Sequence, residues 1–386
     1  MILFLLVFFS LYSALHAYAL SRLCLAFSFK GKRLFALSSF MLVMVISPVL
    51  VRLFERAGMV GLAKVLAVIS FSWMGFVFLF VSLAILIDCC RILRSVSQLV
   101  LPVQVFMTPV STGKVFVGVF VLSLLIWCYG WFEAGNIQTN YIVVHTEKLP
   151  GHLIKLRLVQ VSDVHLGLLI GPSRLEKILD TVNKSRPDIL VCTGDMVDGH
   201  IEERTELLRM LRRVKAPFGK YAVTGNHEYY AGVSSSVSFL EEAGFAVLRG
   251  SKNDLPGNVS IFGVDDQVSL RMEPPTGIPE ELLLQNSDPK RFNILLKHRP
   301  NLLFSSEGFF DLQMSGHIHK GQIFPFGFIT RIFYPQPVGL SSPEQNRFLY
   351  VSRGTGTWGP PIRFLSPPEV TVIDIVAQPS LTALGS

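Results

Sequence analysis

The stretch Leu156-Arg-Leu-Val-Gln-Val-Ser-Asp-Val-His165 decides the fold of the second half of this chain. Its apolar residues form a short β-type run, and Asp163 and His165 follow where that run stops. Four more apolar runs end in polar clusters: Gly194-Asp195, Gly225-Asn226-His227-Glu228, Lys297-His298 and Gly316-His-Ile-His319. Open α/β sheets present ligand-binding side chains at the carboxyl ends of their strands. The pattern therefore predicts an α/β domain with one shared polar site.

Strand-like and helix-like segments alternate along this half of the chain. The predicted strands are Leu156–Ser162, Ile189–Thr193, Tyr221–Thr224, Val259–Val264, Phe292–Leu296, Leu312–Met314, Phe348–Ser352 and Val370–Val376. The predicted helices are Pro172–Asn183, Thr205–Arg213 and Ser234–Ala243. Short buried strands interleaved with helices indicate a sheet whose faces are covered by helices. We predict that this domain spans residues 151–386, after a linker at 135–150.

The first part of the chain has a different composition. The protein has 386 residues, 50% of them hydrophobic, and a mean hydropathy of +0.46, which is too apolar for an ordinary soluble enzyme. Residues 1–140 hold ten Lys/Arg and three Asp/Glu, whereas the rest of the chain holds 25 of each sign. The net charge of +7 therefore lies in the apolar part. Nucleic-acid binding needs a basic face on a folded domain and is not expected here.

Four apolar segments are long enough to cross a bilayer, which takes about 20 residues. They lie at about 2–20, 34–53, 65–87 and 115–132, and predict a four-helix transmembrane region over residues 1–134 of a multi-pass cell-membrane protein. The first and third connecting loops carry seven cations and the second carries three, which favours an extracytoplasmic second half. A signal-peptidase site at Ala17-Tyr-Ala19 would reverse this orientation, although Met1–His16 lacks the usual basic start. The orientation therefore stays open.

The side chains in the polar clusters are the ligand types that divalent cations take in proteins: carboxylate, amide and imidazole. Asp163 and His165 alternate at a strand end, which would point both side chains to one side. His317 and His319 repeat this spacing at another strand end. Asp195 has two oxygens with which to bridge two cations. Each cluster alone is typical of an ordinary turn, but together they predict a site for a pair of cations.

Other residues in the clusters have narrower predicted roles. Asn226 would supply a neutral oxygen ligand, and His298 is a ligand candidate because of the neighbouring clusters. His227 is placed to donate a proton to a leaving alkoxide. Asp198 either orients a neighbouring group or is a carboxylate at a helix start. Glu228 either orients His227 or begins a helix.

In this order the clusters resemble the calcineurin-like metallophosphoesterase family, over about residues 150–378. Four longer strings resemble its membrane-attached branch of bacterial phosphoesterases and animal transmembrane proteins: 161–167, 223–230, 315–325 and 351–356. The resemblance implies a four-layered α/β/β/α sandwich, here preceded by the four-helix transmembrane region. It also implies two divalent metal ions, with Mn, Fe, Zn and Mg all left open.

The family's motif positions imply the metal ligands. One ion would be held by Asp163, His165, Asp195 and His319, and the other by Asp195, Asn226, His298 and His317. The catalytic residues would be His227, as acid or transition-state contact, and Asp195. Lys320 departs from the branch, which usually has a small residue there. With Arg353 and Arg363 it is a candidate for binding a substrate phosphate.

The resemblance implies a membrane-anchored phosphoesterase that hydrolyses a phosphomonoester or phosphodiester by attack of a metal-activated hydroxide. One alternative is a pyrophosphohydrolase of a nucleotide-linked lipid of the UDP-diacylglucosamine type. Another is a catalytically inactive membrane scaffold or sensor. The expected partners are membrane lipids and a phosphoester substrate, with a lipid-linked substrate left open. No G-x-x-x-x-G-K-[ST] or G-x-S-x-G motif is present, which argues against a P-loop nucleotidase or serine hydrolase.

Overall fold

The fold is described by a computed structural model that covers residues 2–100, 111–274, 276–303, 308–344 and 347–378. The chain divides into two compact units. The helical unit comprises residues 1–132 and 359–364, and the α/β unit comprises residues 133–358 and 365–386. Residues 379–386, the end of the predicted catalytic domain, lie outside the described residues.

The first part of the chain forms four helices: α1 Ile2–Phe27, α2 Gly31–Arg56, α3 Val60–Val100 and α4 Thr112–Gly135. By length and composition, three segments of the described residues are able to cross a membrane: Gly31–Arg56, Val60–Gln98 and Thr112–Gly135. They contain the second, third and fourth predicted spans. The first predicted span falls in α1, which is not among the three. The described residues therefore support three candidate spans, not clearly four.

Apolar packing joins α1, α3 and α4 in the helical unit, through Ala19, Val77, Phe80 and Val119 among others. Residues 359–364 belong to the same unit, where the buried Arg363 donates its main-chain N–H to the carbonyl of Gly130 at 2.9 Å. A Cβ at Gly130 would lie 2.9 Å from the Arg363 carbonyl oxygen, so this approach requires glycine.

The α/β unit contains fourteen strands among its described residues. They are β1 Gln138–Thr146, β2 Lys155–Val161, β3 Leu166–Gly167, β4 Ile189–Thr193, β5 Val197–Asp198, β6 Lys220–Val223, β7 Ala246–Val247, β8 Ser251–Leu255, β9 Val259–Gly263, β10 Phe292–Leu296, β11 Leu312–Ser315, β12 Gly339–Glu344, β13 Arg347–Val351 and β14 Glu369–Ala377. The helices of this unit are α5 Pro172–Ser185, α6 Arg204–Arg212, α7 Asn226–Ala231, α8 Val233–Glu242, α9 Ser269–Met272, α10 Glu280–Leu284 and α11 Gly327–Phe333, with a 3-10 turn at His319–Gly321.

Two six-stranded mixed sheets organise these strands. The first has the order β1-β14-β2-β4-β6-β7, and only its β14–β2 pair is antiparallel. The second has the order β12-β13-β11-β10-β9-β8, with antiparallel pairs at both edges. The central strands of both sheets are thus parallel, and their carboxyl ends lie at one edge of each sheet.

Apolar side chains hold the two sheets together. Leu158 and Val191 from the first sheet pack in one buried cluster with Ile294 and Leu312 from the second. Residues of β2 and β4 that point the other way pack with helices α5, α6 and α8, for example Val159 with Ile178 of α5. Alternate residues of one strand therefore enter different cores, as a strand buried on both faces requires.

Strand β1 lies inside the segment 135–150, which the sequence predicted to be a linker. It pairs in parallel with β14 over nine residues, from Gln138 with Glu369 to Thr146 with Ala377. Its side chains are mostly exposed or half-buried, and Val144 is the buried exception. An edge strand of this kind carries a weak apolar signal, because its neighbour supplies the hydrogen bonds that keep it extended.

Candidate metal centre and active site

Five parallel strands deliver the predicted site residues to one place. These strands end at Val161, Thr193, Val223, Leu296 and Ser315. The next few residues after each end include Asp163, Asp195, Asn226, His298 and His317. The strands come from both sheets, so the site is built where the two sheets meet.

The first group of converging side chains comprises Asp163, His165 and His319, all buried, with ligand atoms within 4.8 Å of one another. The Nε2 atoms of His165 and His319 lie 3.2 Å apart. The Nε2 atom of His319 lies 3.4 Å from the Oδ1 atom of Asp163. One carboxylate and two imidazoles that face a common point form a typical divalent-cation ligand set.

The second group comprises Asp195, His298 and His317, again with ligand atoms within 4.8 Å of one another. The Nε2 atom of His298 lies 3.1 Å from Asp195 Oδ2 and 3.1 Å from His317 Nδ1. The other ring nitrogen of His298, Nδ1, lies 2.8 Å from the main-chain carbonyl oxygen of Thr193. This carbonyl contact fixes the His298 ring with Nε2 directed into the group.

Asp195 links the groups. It also belongs to a third set, with His165 and His227, and its Oδ2 atom lies 3.9 Å from His165 Nε2. Its Oδ1 atom accepts a hydrogen bond from the main-chain N–H of His227 at 2.8 Å. Asn226 is buried next to this bond. The structure thus brings six of the seven predicted metal ligands into converging groups, while the seventh, Asn226, is buried and precedes His227 in the chain.

The backbone at the site is left-handed at several non-glycine residues. The φ angles of Asp163, His165, Asp195, His317 and His319 are +54°, +58°, +54°, +72° and +45°. The sequence predicted that extended alternation at a strand end aligns Asp163 with His165 and His317 with His319. That reason is wrong, because these residues lie beyond their strands in left-handed conformations. Such φ angles are uncommon outside glycine, and they cluster at functional sites.

Main-chain hydrogen bonds hold these left-handed residues. The N–H of Asp163 donates to the carbonyl of Gly194, and the N–H of His165 donates to the carbonyl of Asp195, both at 3.0 Å. The N–H of His317 donates to both carboxylate oxygens of Asp163, at 3.1 and 3.0 Å. The loops of different strands therefore fix one another, which keeps the ligand atoms in place.

His227 is the buried histidine of the third set, and its Nδ1 atom lies 2.8 Å from Asp198 Oδ1. Its ring contacts those of His165, Tyr230 and Trp358, with centroids 4.7, 5.4 and 5.8 Å away. Burial lowers the pKa of His227, but the charges of Asp195 and Asp198 outweigh burial and raise it to about 9. These two charges therefore favour the cationic form of the His227 ring, and the contact with Asp198 orients the ring.

Glu228 is buried and acts on the main chain. Its carboxylate accepts hydrogen bonds from the N–H groups of Gly225, Asp195 and Val197, at 2.7, 2.9 and 3.0 Å. The bond from Gly225 satisfies the main-chain N–H of the residue that precedes α7. These contacts fit the predicted helix-start role of Glu228, while the orienting contact to His227 comes from Asp198.

The three basic candidates for phosphate binding have different surroundings. Lys320 is exposed and follows His319 directly. Arg353 forms an ion pair of 2.6 Å with Glu369, and its main-chain N–H donates to the same carboxylate at 3.0 Å. Arg363 is fully buried and belongs to the helical unit. Of the three, Lys320 is the exposed cation next to a metal-ligand candidate.

The sequence did not predict a series of three hydrogen-bonded residues that continues from His317. The hydroxyl of Tyr334 lies 3.0 Å from His317 Nε2 and accepts a hydrogen bond from Arg299 at 2.8 Å. Arg299 in turn donates to the carboxylate of Asp266 at 2.7 Å. The position of Arg299 directly after His298 was the only signal, because the contacts to Tyr334 and Asp266 are long-range.

The ligand atoms of the converging groups are suited to bind divalent cations. Asn226 Oδ1 and His165 Nδ1 are buried atoms that lack a hydrogen-bond partner among the described residues. Two pairs of imidazole nitrogens also face each other at 3.1 and 3.2 Å. Buried polar atoms normally have partners, and a cation between such donors satisfies several at once. Glycine leaves room for this packing: a Cβ at Gly316 would lie 2.3 Å from an Asp163 carboxylate oxygen.

Comparisons with known proteins agree with this geometry. Residues 156–321 match the family model described as calcineurin-like phosphoesterase. A protein of Aquifex aeolicus named as an uncharacterized metallophosphoesterase is 37% identical over 255 residues, which cover 66% of this chain and 97% of that protein. The chain therefore belongs to the calcineurin-like metallophosphoesterase family.

Animal relatives share the same domain. A protein of Danio rerio named as a transmembrane protein with metallophosphoesterase domain is 31% identical over 265 residues, or 66% of this chain and 61% of that protein. Among solved structures, a 5'-nucleotidase precursor from Thermus thermophilus matches with 16% identity and a TM-score of 0.33, over 57% of this chain and 54% of that one. A likeness at that level carries no argument about activity.

Proposed function

We propose that the protein is a membrane-anchored phosphoesterase that hydrolyses a phosphomonoester or phosphodiester with the help of two divalent cations. One observation carries the proposal: Asp195 belongs to two of the three groups of converging ligand atoms. A shared carboxylate is what a pair of adjacent cations requires. Family membership supports the reaction class, and the left-handed, mutually bonded loops support a preformed site.

We assign two sets of ligands from the family's motif positions, and the converging groups support this assignment. Asp163, His165, Asp195 and His319 would hold one cation. Asp195, His298 and His317, with the Oδ1 atom of Asn226, would hold the other. When bound, a pair of cations lowers the pKa of water and neutralises charge on the phosphoryl oxygens. The mixed oxygen and nitrogen ligands suit Mn, Fe or Zn better than Mg, which prefers oxygen.

The remaining residues have positioning and proton-transfer roles in this proposal. His227, cationic at neutral pH, protonates the leaving oxygen, and Asp198 holds its Nδ1 side. Glu228 keeps the Asp195 and Gly225 loops together. Lys320 is exposed beside His319 and attracts the anionic substrate. Because Glu369 engages Arg353, any phosphate contact of Arg353 would be secondary.

The membrane part of the proposal extends beyond the three candidate spans. We infer a multi-pass region over residues 1–134 in which α1 supplies a fourth crossing, followed by a four-layered catalytic domain whose first sheet includes β1. The excess of cations in the first and third loops supports an extracytoplasmic catalytic domain. A compartment-dependent reporter fused after Ser386 tests this orientation, since cytoplasmic reporter activity would contradict it.

Metal dependence of the full-length chain tests the enzymatic proposal. Purified protein is stripped with a chelator and assayed on soluble 4-nitrophenyl esters after separate addition of Mn²⁺, Fe²⁺, Zn²⁺ or Mg²⁺. We expect hydrolysis only with added cation. Asp195→Asn should lose bound metal and lower kcat/KM by about a thousandfold, since it acts on both ions. Asp180→Asn, at an exposed position of α5, is the matched control.

Two experimental results would contradict this proposal, and each would favour one of the two alternative functions. An Asp195→Asn protein that keeps its metal and its activity would favour a scaffold or sensor. Hydrolysis confined to a nucleotide-linked lipid diphosphate would favour the pyrophosphohydrolase. Family membership supports the reaction class of the simpler ester hydrolase.

A further inference from the structure

The surface of the α/β unit carries an exposed apolar segment beside the candidate metal centre. Residues 324–333, here called the apolar lip, read Phe-Pro-Phe-Gly-Phe-Ile-Thr-Arg-Ile-Phe and include α11. Ile332, Phe333 and Phe328 are 77%, 73% and 61% exposed, and α11 has no buried residue. Contiguous exposed apolar surface in a folded domain typically marks a protein or membrane contact.

The lip is anchored to the candidate metal ligands at both ends. It begins shortly after His319, through a turn in which a Cβ at Gly321 would collide with the main chain of Gly327. It ends at Tyr334, whose hydroxyl lies 3.0 Å from His317 Nε2. The apolar side chains therefore project from the rim of the site itself, on a support held by the site's own residues.

The charge of this region complements a phospholipid surface. No Asp or Glu occurs in residues 312–343, whereas Lys320 and Arg331 are present and exposed. Aromatic and aliphatic side chains with nearby cations are the composition that binds the boundary between headgroups and acyl chains. Cations close to anionic lipid strengthen such binding.

We propose that the apolar lip inserts into the lipid–water interface, and that the site thereby takes its phosphoester from the bilayer surface. The second part rests on the proposed function; the insertion does not. The three candidate spans in the same chain support a bilayer over a soluble partner, because they keep the membrane available at high local concentration. The substrate class is an amphiphile whose phosphate lies at headgroup level.

Depth-dependent fluorescence quenching tests the insertion directly. The full-length chain, with alanine at the cysteines of positions 24, 89, 90 and 128, is labelled with bimane at Ile332→Cys and reconstituted in phosphatidylcholine vesicles that contain nitroxide lipids. The control is Ile154→Cys, since Ile154 is 75% exposed and precedes β2 at the end opposite Asp163. The seven residues of β2 lie between Ile154 and Asp163 and span about 23 Å.

We expect several-fold stronger quenching at Ile332→Cys than at Ile154→Cys. Equal, weak quenching at both positions would overturn the insertion. Energy transfer between labels on different molecules that rises with protein density, without nitroxide quenching, would show that a second copy covers the lip and would also overturn it.

Activity measurements test the second part. The double variant Ile332→Glu/Phe333→Glu and the control Ile154→Glu are compared on two 4-nitrophenyl phosphodiesters, one with a short soluble alkyl group and one phosphatidyl ester in vesicles. The double variant should lose about tenfold or more on the vesicle substrate, because buried charge opposes interfacial binding, and keep its rate on the soluble ester. Ile154→Glu should keep both rates.

The outcomes separate this inference from the proposed function. If wild-type protein hydrolyses neither ester, the proposed function fails, while the quenching result still decides the insertion. If the double variant keeps its rate on the vesicle substrate, supply of substrate through the lip is refuted even where hydrolysis is confirmed.

Discussion

The Nδ1 atom of His227 lies 2.8 Å from the Oδ1 atom of Asp198, and this contact, together with the charge of Asp195, raises the pKa of the proposed acid. Asp198 comes from β5, whereas His227 is the second residue of α7. The contact therefore joins two segments that follow different strands, β4 and β6, of the first sheet. Because the Asp198 carboxylate favours the cationic ring, its removal should be visible in the pH dependence of hydrolysis.

Replacement of Asp198 by Asn should lower the pKa of His227. A proton donor loses activity as pH rises through its pKa, so the alkaline limb of kcat/KM should move to lower pH. At pH 8 we expect a loss of about tenfold, and a smaller loss at pH 6. The measurement is a pH profile on a soluble ester. An unchanged alkaline limb would contradict the role of Asp198, and Asp180→Asn should leave the profile unaltered.

Removal of the Glu228 carboxylate should loosen the metal centre. In Glu228→Ala the N–H groups of Asp195, Val197 and Gly225 lose their acceptor, at about 1–3 kcal/mol for each buried group left unpaired. We expect a lower Tm and less metal retained after gel filtration. The exposed Glu241→Ala is the control. Full metal content in Glu228→Ala would show that the Asp195 and Gly225 loops keep their positions without the Glu228 carboxylate.

Substitution of Gly316 by alanine should disrupt the site although it replaces no metal ligand. The added Cβ would lie 2.0 Å from Ser162 Oγ and 2.3 Å from Asp163 Oδ2, far below van der Waals contact. Gly316→Ala should therefore displace Asp163 and lower activity by at least about a hundredfold. Gly61→Ala should be silent, because no atom beyond its own stretch of α3 lies within 4 Å of the new Cβ. Wild-type activity in Gly316→Ala would disprove the predicted displacement of Asp163.

Tyr334 should position His317 rather than react. Tyr334→Phe keeps the ring packed against His317 but removes the hydroxyl between His317 and Arg299. We expect metal affinity to fall by about tenfold, measured by titration of stripped protein, with an unchanged Tm, since contacts that orient a metal ligand are worth about 10–100-fold in affinity. Affinity equal to that of wild type would leave Tyr334 as a packing residue only.

The order and type of the main elements followed from local patterns. The predicted helix Pro172–Asn183 is α5 Pro172–Ser185, and the predicted strand Phe292–Leu296 is β10 with the same bounds. Both carry a strong periodic or continuous apolar signal that tertiary packing reinforces. Strand β1 and the edge strand β8 carry little such signal, because one face is exposed and the pairing partner supplies their structure.

By itself, the sequence determined which residue types follow each buried strand, because the apolar run and its polar end are local features. It thereby marked Asp163, Asp195 and His298 as site candidates. Only the tertiary structure decided their left-handed backbone, the contact of Asp198 with His227, and the exposure of the apolar lip. These features depend on hydrogen bonds and packing between segments that are far apart in the chain. The spacing of residues along the sequence does not tell how far apart such segments lie in space.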